Sequence, residues 1–436
     1  MGSSCVVRMT CQPMLTGLSA NVGRDKSSTF SDNMKLPIHR WYRYTAGFSA
    51  GWVSSVIEQA KNSGPVRVLD PFAGSGTVPL EALFSGVDSY GIESNPFVCK
   101  IANAKLCWTS CDKRRLIKAC DDVLKAARES DVKVLNYPDL IVRCFPPATL
   151  RKLDALKSEC GKLRDKRIRD FVWFVITSIL RMSSPVGTAQ WQYIQPRKSK
   201  AKVVDPFEAF AKKVQEITSD ITWGEEHSPG TSKSIVVQDD ARETHAIPDG
   251  WANLVVTSPP YANNYDYADA MRLEMLFWGE IHGWHDLQSK VSVNLVRACT
   301  QHVSGLGDSI DVILDSDELA PIRNEIREKY LALKAAREGH GGKKNYHLMI
   351  AAYFYDLSRV FKSLDRMTAK NCKMCFVIGD SAPYGVYLPV DTWLGELAVA
   401  AGFTHYHFEK LRDRNVKWKN RKHRVPLKEG RLWIEK

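Results

Sequence analysis

The chain has 436 residues, 44% hydrophobic and 25% charged, an ordinary folded-protein composition that excludes a disordered or collagen-like chain. Its 61 lysines and arginines outweigh 49 aspartates and glutamates, and the formal net charge of +12 favours a polyanionic partner such as nucleic acid or an acidic membrane surface. No apolar run reaches the ~18 residues of a membrane span, no signal segment opens the chain, and eleven cysteines without paired spacing fit reduced thiols, so a cytoplasmic protein is expected.

Residues 1–30 mix small polar and single apolar residues without period and read as a poorly ordered lead-in. Short β-branched runs follow at Val66–Asp70, Ser89–Ser94, Ser234–Gln238, Asn253–Ser258 and Met374–Asp380, and runs this continuously apolar suit strands covered on both faces. Helical patterns lie between some of them, at Pro79–Ser85, Ala268–Gly279 and His347–Leu364, which predicts an open α/β sheet. The second and third runs are separated by roughly 140 residues, far beyond a βα connection. Residues 112–230, with helical patterns at Ala148–Leu163, Arg169–Arg181 and Pro206–Ile217, therefore read as a helical insertion into a domain made of 31–111 and 231–436. A second stretch, 280–345, is polar, carries the basic turn Gly339–Lys344 and reads as irregular. The late runs Thr404–Leu411 and Arg431–Glu435 flank a basic loop and suit a terminal hairpin. The one CxxC pair, Cys372 and Cys375, sits in an apolar run without a second pair or nearby histidine, so no metal site is expected.

Two stretches carry chemistry. The first is DPFAGSGT, Asp70–Thr77, where a strand gives way to a helix. Gly74 and Gly76 allow a tight turn and close approach of a ligand to the backbone, while Pro79 fits the first helical turn. That proline occupies the third glycine position of a dinucleotide fingerprint, and no Lys-Ser or Lys-Thr completes a P-loop. Glu93, at the end of the next strand, is placed to accept hydrogen bonds from ribose hydroxyls, so a nucleoside-containing cofactor is implied. The second stretch is TSPPY, Thr257–Tyr261, directly after an apolar strand. Its paired prolines fix the backbone. The Ser258 hydroxyl and the Ser258 and Pro259 carbonyls are acceptors suited to an exocyclic amine, and Tyr261 suits stacking on an extrahelical base.

Together these residues resemble the amino-methylating DNA methyltransferases that use S-adenosylmethionine, and among them the cytosine-N4 branch, in which the tetrapeptide is commonly Ser-Pro-Pro-Tyr. Ser258 stands at the discriminating position, with adenine-N6 remaining open. The segment His39–Val53 resembles the family's N-terminal cofactor motif, QDDAR its adenine-contacting motif, and Phe376–Ser381 its fifth-strand motif. The resemblance implies a Rossmann-like class I methyltransferase, an α/β fold with a seven-stranded, mostly parallel sheet whose seventh strand is antiparallel. It implies a catalytic loop of Ser258, Pro259, Pro260 and Tyr261. It also implies cofactor contacts from Phe48, Ser49, Asp70, Pro71, Phe72, Ala73, Gly74, Gly76, Thr77, Glu93, Ser94, Asn95, Asp240 and Thr257.

Double-stranded DNA is the implied substrate, with a cognate restriction endonuclease or other defence component as a partner. Few residues follow the sixth strand, so no large C-terminal recognition domain is expected. The basic, aromatic-bearing stretch Trp191–Lys202 offers Arg197, Lys198, Lys200 and Lys202 to phosphates, and the loop Arg412–Arg424 offers Arg414, Lys417, Trp418, Arg421 and Arg424. Target recognition is expected first from 280–345 and second from the helical insertion. No proline precedes a cysteine, which argues against a cytosine-C5 mechanism. An RNA amino-methyltransferase and an inactive DNA-binding subunit are the remaining alternatives.

Overall fold

The structure, a computed structural model, describes residues 30–44, 47–109, 112–131, 135–187, 195–230, 232–341, 344–414 and 425–436. The expected lead-in before residue 30, and Lys417, Trp418, Arg421 and Arg424, lie outside them.

The strands are β1 (Arg67–Asp70), β2 (Asp88–Ile92), β3 (Val186–Gly187), β4 (Gln195–Ser199), β5 (Ser234–Val237), β6 (Ala252–Thr257), β7 (Thr368–Gly379), β8 (His405–Arg414) and β9 (Leu427–Glu435). Seven form one sheet in the order β5-β2-β1-β6-β7-β9-β8, with β3 and β4 a separate antiparallel pair. β1, β2, β5, β6 and β7 run parallel, and β9 pairs antiparallel with both β7 and β8. The chain thus has an α/β fold with a mixed seven-stranded sheet whose last strand is the reversed one. The terminal runs form the β8–β9 hairpin at one edge.

The continuous apolar runs arise because the sheet is covered on both faces, and successive side chains enter two different cores. Val68, Leu254, Val256, Cys375 and Val377 pack with Trp52, Val56 and Ala82 of α1 (Ala50–Lys61) and α2 (Thr77–Phe84). Leu69, Val255, Met374, Phe376 and Ile378, alternating with them, pack on the opposite side against Phe354, Phe361 and Trp393.

A third core holds α3 (Pro96–Leu106) together with residues 112–230. That region contains α4 (Lys113–Glu129), α5 (Asp139–Cys144), α6 (Pro147–Gly161), α7 (Lys166–Ser183) and α8 (Pro206–His227). Its apolar helix α7 packs in the same core as Phe97 and Ile101 of α3 and Leu273 and Phe277 of α9 (Arg272–Trp278). Asp220 of α8 fastens the N-terminal segment, accepting from the Ile38 and Trp41 Nε1 N–H groups at 2.9 Å each and from Arg40.

Residues 280–345, expected to be irregular, contain α10 (Trp284–Lys290), α11 (Ile310–Leu314) and the sixteen-residue α12 (Arg323–Glu338). The sequence of α12 is rich in strong helix formers, but only Ile326 and Leu333 are buried, so its apolar period is too sparse to read. After it, α13 (Tyr346–Met367) and α14 (Val390–Ala400) complete the layer over the sheet.

Candidate functional site

β1, β2 and β6 lie side by side and parallel, so the loops after their C-terminal ends meet at one edge of the sheet, where open α/β folds place their ligands. Asp70 closes β1 and Thr257 closes β6, and the Thr257 hydroxyl donates to Asp70 Oδ1 at 2.6 Å with both residues buried. The two stretches singled out in the sequence, 187 positions apart, are therefore joined by a direct hydrogen bond.

Above this bond lies a cavity. Phe48, Pro71, Phe72, Ala73, Gly74, Thr77, Glu93, Ser94, Asn95, Asp240, Ser258 and Pro260 line it, as do Tyr44, Gly47, Ser75, Ile92, Asp239, Ala241, Tyr267 and Asn294–Val296. The other expected residues stand behind the wall. Ser49 caps α1, its side chain accepting from Trp52 N; Gly76, at φ 80°, is the N-cap of α2; Asp70 and Thr257 are buried in their mutual bond. Pro259 and Tyr261 do not line this cavity.

The glycine turn wraps round Glu93. Gly74 N donates to Glu93 Oε2 at 2.9 Å and Asn95 N to Oε1 at 2.8 Å, while Glu93 N is held by the Val237 carbonyl of β5. Asn95 also caps α3 through Phe97 N. Gly74 has φ 51°, and a Cβ there would approach the Tyr44 ring to 3.0 Å, so both conformation and space call for glycine. Burial pushes the Glu93 carboxyl up to about 7 against the opposing pull of its two N–H partners, and burial lifts Asp70 to about 7 as well. Asp70 Oδ2 is buried without a hydrogen-bond partner among the described residues.

Beneath the turn, Lys105 of α3 is fully buried and donates to the Ser75 carbonyl at 2.9 Å. Burial lowers its ammonium to about 7, opposed by Glu81, which in turn meets the buried His39 at 2.6 Å.

On the far wall, Asp240 is chelated by Arg242, whose Nε lies 2.9 Å from both carboxylate oxygens. Arg242 Nη1 reaches Asp356 of α13 at 3.3 Å, and the fully buried Asp356 also takes Arg297 through its backbone N (3.0 Å), Nε (2.9 Å) and Nη2 (2.6 Å). This network holds Asn294–Val296 against the cavity.

The TSPPY loop is fixed from three sides. Ser258 Oγ donates to the Val377 carbonyl at 3.2 Å, Tyr353 OH donates to the Pro260 carbonyl at 2.9 Å, and Tyr261 N donates to Tyr267 OH at 3.3 Å. Ser381 Oγ holds the Ala262 carbonyl. The Ser258 hydroxyl also hydrogen-bonds the Tyr261 side chain. The Tyr261 ring is covered by Arg414, whose guanidinium carbon lies 5.3 Å from the ring centroid.

The remaining basic residues divide. Arg197 and Lys202 are exposed, and Lys198 lies in β4. Lys200 is half-buried, and its ammonium donates to the Arg181 carbonyl in the last turn of α7, so it is tied to the fold. Tyr44, Tyr267, Tyr353, Lys105 and Asp356 were missed by the sequence reading. The only available hint was the position of Tyr44 inside the His39–Val53 segment.

No protein-family model matches the chain. It is similar to the Type II methyltransferase M.AvaI of Nostoc sp., 24% identical over 401 residues that cover 87% of this chain and 81% of that protein. The Type II methyltransferase M.BsoBI of Geobacillus stearothermophilus is 24% identical over 428 residues, 89% of this chain and 83% of that one. The Type II methyltransferase M.MvaI of Kocuria varians is 21% identical over 411 residues, 89% and 87%. In each case the similarity extends over more than four fifths of both chains.

Proposed function

We propose that the protein is a DNA methyltransferase that uses S-adenosylmethionine to methylate the exocyclic N4 amine of cytosine in duplex DNA, on a Rossmann-like class I fold. The observation that carries this reading is the Thr257–Asp70 bond, which brings a nucleoside-binding turn and an amine-accepting loop to one cavity.

The donor set fits the cofactor. The Glu93 carboxylate faces the cavity as a ribose hydroxyl acceptor, Phe48, Ile92, Leu295 and Val296 give apolar walls, and the unpartnered Asp70 Oδ2 leaves an acceptor beneath the glycine turn. Asp240 is chelated by Arg242, so the contact assigned to it is shared with the adjoining Asp239 and Ala241. When bound, S-adenosylmethionine supplies an electrophilic methyl group.

The chain's own task is to present the amine. The lone pair of a nucleobase amine is delocalised into the ring, and acceptors on its N–H bonds localise it. Ser258 Oγ and the Pro259 carbonyl are such acceptors, held rigid by Val377, Tyr353 and the paired prolines. Tyr261 supplies the stacking surface for an extrahelical base. Arg197, Lys198 and Lys202 offer phosphate contacts, and the Type II names of the relatives favour a partner restriction endonuclease.

Transfer of labelled methyl groups to unmodified genomic DNA tests the assignment. Glu93→Gln should weaken cofactor binding with DNA binding retained, Tyr261→Ala should do the reverse, and Ser258→Ala should lower kcat. Equal loss of cofactor affinity in all three would refute the division of roles.

A further inference from the structure

Tyr261, whose ring the proposed function needs for stacking, lines neither the cavity above Asp70 nor a second one beside its loop. That second cavity adjoins the TSPPY loop, and its walls include Ala262, Asn263, Asp380, Tyr384 and Arg414, but not Tyr261. Arg414 stands between. Its guanidinium lies over the Tyr261 ring at 5.3 Å, its Nη1 donates to the Asp380 carbonyl at 3.0 Å, and its Nε is 3.7 Å from Glu429. The space it uses is opened by Gly379 at the end of β7, where a Cβ would meet Arg414 Nη1 at 2.5 Å and the Tyr261 ring at 3.2 Å.

Resting on the reading of the protein as a DNA base methyltransferase, we propose that Arg414 is a positioning residue that occupies the stacking face of Tyr261 in the DNA-free protein and yields it to the target base. A planar guanidinium and a nucleobase are both suited to the face of an aromatic ring, so they compete for one surface. While Arg414 is in place, the ring is kept from other apolar groups. When Arg414 leaves, the ring surface and the second cavity become one continuous space for a nucleotide. Among the described residues, Arg414 is held by a single carbonyl bond and by a carboxylate at 3.7 Å that is shared with Arg412 at 2.7 Å. That is the bonding expected of a group that must move.

The test uses the full chain as wild type, Arg414→Ala and Arg414→Lys. Hydroxyl-radical oxidation of Tyr261, read by peptide mass spectrometry without DNA, should rise severalfold in both variants, because lysine keeps the charge and loses the planar cover. Binding to a duplex carrying the mapped methylation site should be unchanged or tighter in Arg414→Ala, with the slope of log K against log salt unaltered.

Unchanged Tyr261 oxidation would overturn the cover. Weaker DNA binding with a slope reduced by about one, rescued by lysine, would overturn it in favour of a phosphate contact. If the wild type bound and methylated no DNA, the functional reading would fail and the displacement with it, whereas intact DNA methylation with unchanged oxidation would sink the cover alone.

Discussion

Glu93 is held by two backbone N–H groups, one on each oxygen, an arrangement made for a carboxylate, yet burial pushes its carboxyl up to about 7. In the folded protein it keeps a proton that the unfolded chain, at 4.5, has lost. The stability from the protonated form is therefore complete below about 4.5 and declines as pH rises through about 7. Accepting ribose hydroxyls favours the carboxylate, so cofactor affinity, titrated across this range, should rise through about pH 7. Glu93→Gln should lose that step, keeping only what the coupled Asp70 contributes, and a full step in the variant would contradict the assignment. Tyr353→Phe removes one neutral hydrogen bond to the Pro260 carbonyl, worth about 1 kcal/mol, and should lower kcat about fivefold with cofactor affinity retained; an unchanged kcat would show that the loop needs no such support. At this scale the sequence was informative wherever a residue belonged to a motif: Phe48, Gly74, Glu93 and Ser258 all reach the one cavity. Tyr353, Lys105 and Tyr267 act across the fold from elements with no spacing that marks them, so only the three-dimensional arrangement reveals them.

At the scale of elements, the outer wall of the cavity depends on Asp356 in α13 holding Arg242 and Arg297 together. Removing this buried partner leaves the Arg297 guanidinium uncompensated and Arg242 with Asp240 alone, so Asp356→Ala should destabilise the fold by about 3 kcal/mol in denaturant unfolding. It should also weaken cofactor binding, because Asn294–Val296 lose their tie, while a destabilised variant with unaltered cofactor affinity would separate the network from the site. The strands were legible as short apolar runs because both sheet faces are covered. Other elements were not, the β3–β4 pair and α1, α3, α4 and α14 among them. β7 extends back to Thr368 through TAKNCK, a polar run with Asn371 at φ 65°, and α12 presents a charged surface with only two buried positions. In both, the pattern visible in sequence is weaker than the backbone pairing that forms.

At the scale of the whole molecule, residues 112–230 share their core with α3 and α9, so the helical region is fused to the flank of the sheet rather than tethered beside it. The formal charge of +12 predicts salt-sensitive DNA binding. Arg197→Ala should reduce the slope of log K against log salt by about one, whereas Lys200→Ala should leave it unchanged, since that ammonium is spent on the Arg181 carbonyl. Equal slopes for wild type and Arg197→Ala would move the DNA surface elsewhere. Methyl transfer to cytosine N4 is tested by incubating the protein with methyl-labelled S-adenosylmethionine and unmodified genomic DNA, then identifying the labelled nucleoside by mass spectrometry. N4-methylcytosine is the expected product. N6-methyladenine would contradict the role given to Ser258, and cofactor binding without label in DNA would contradict the function itself.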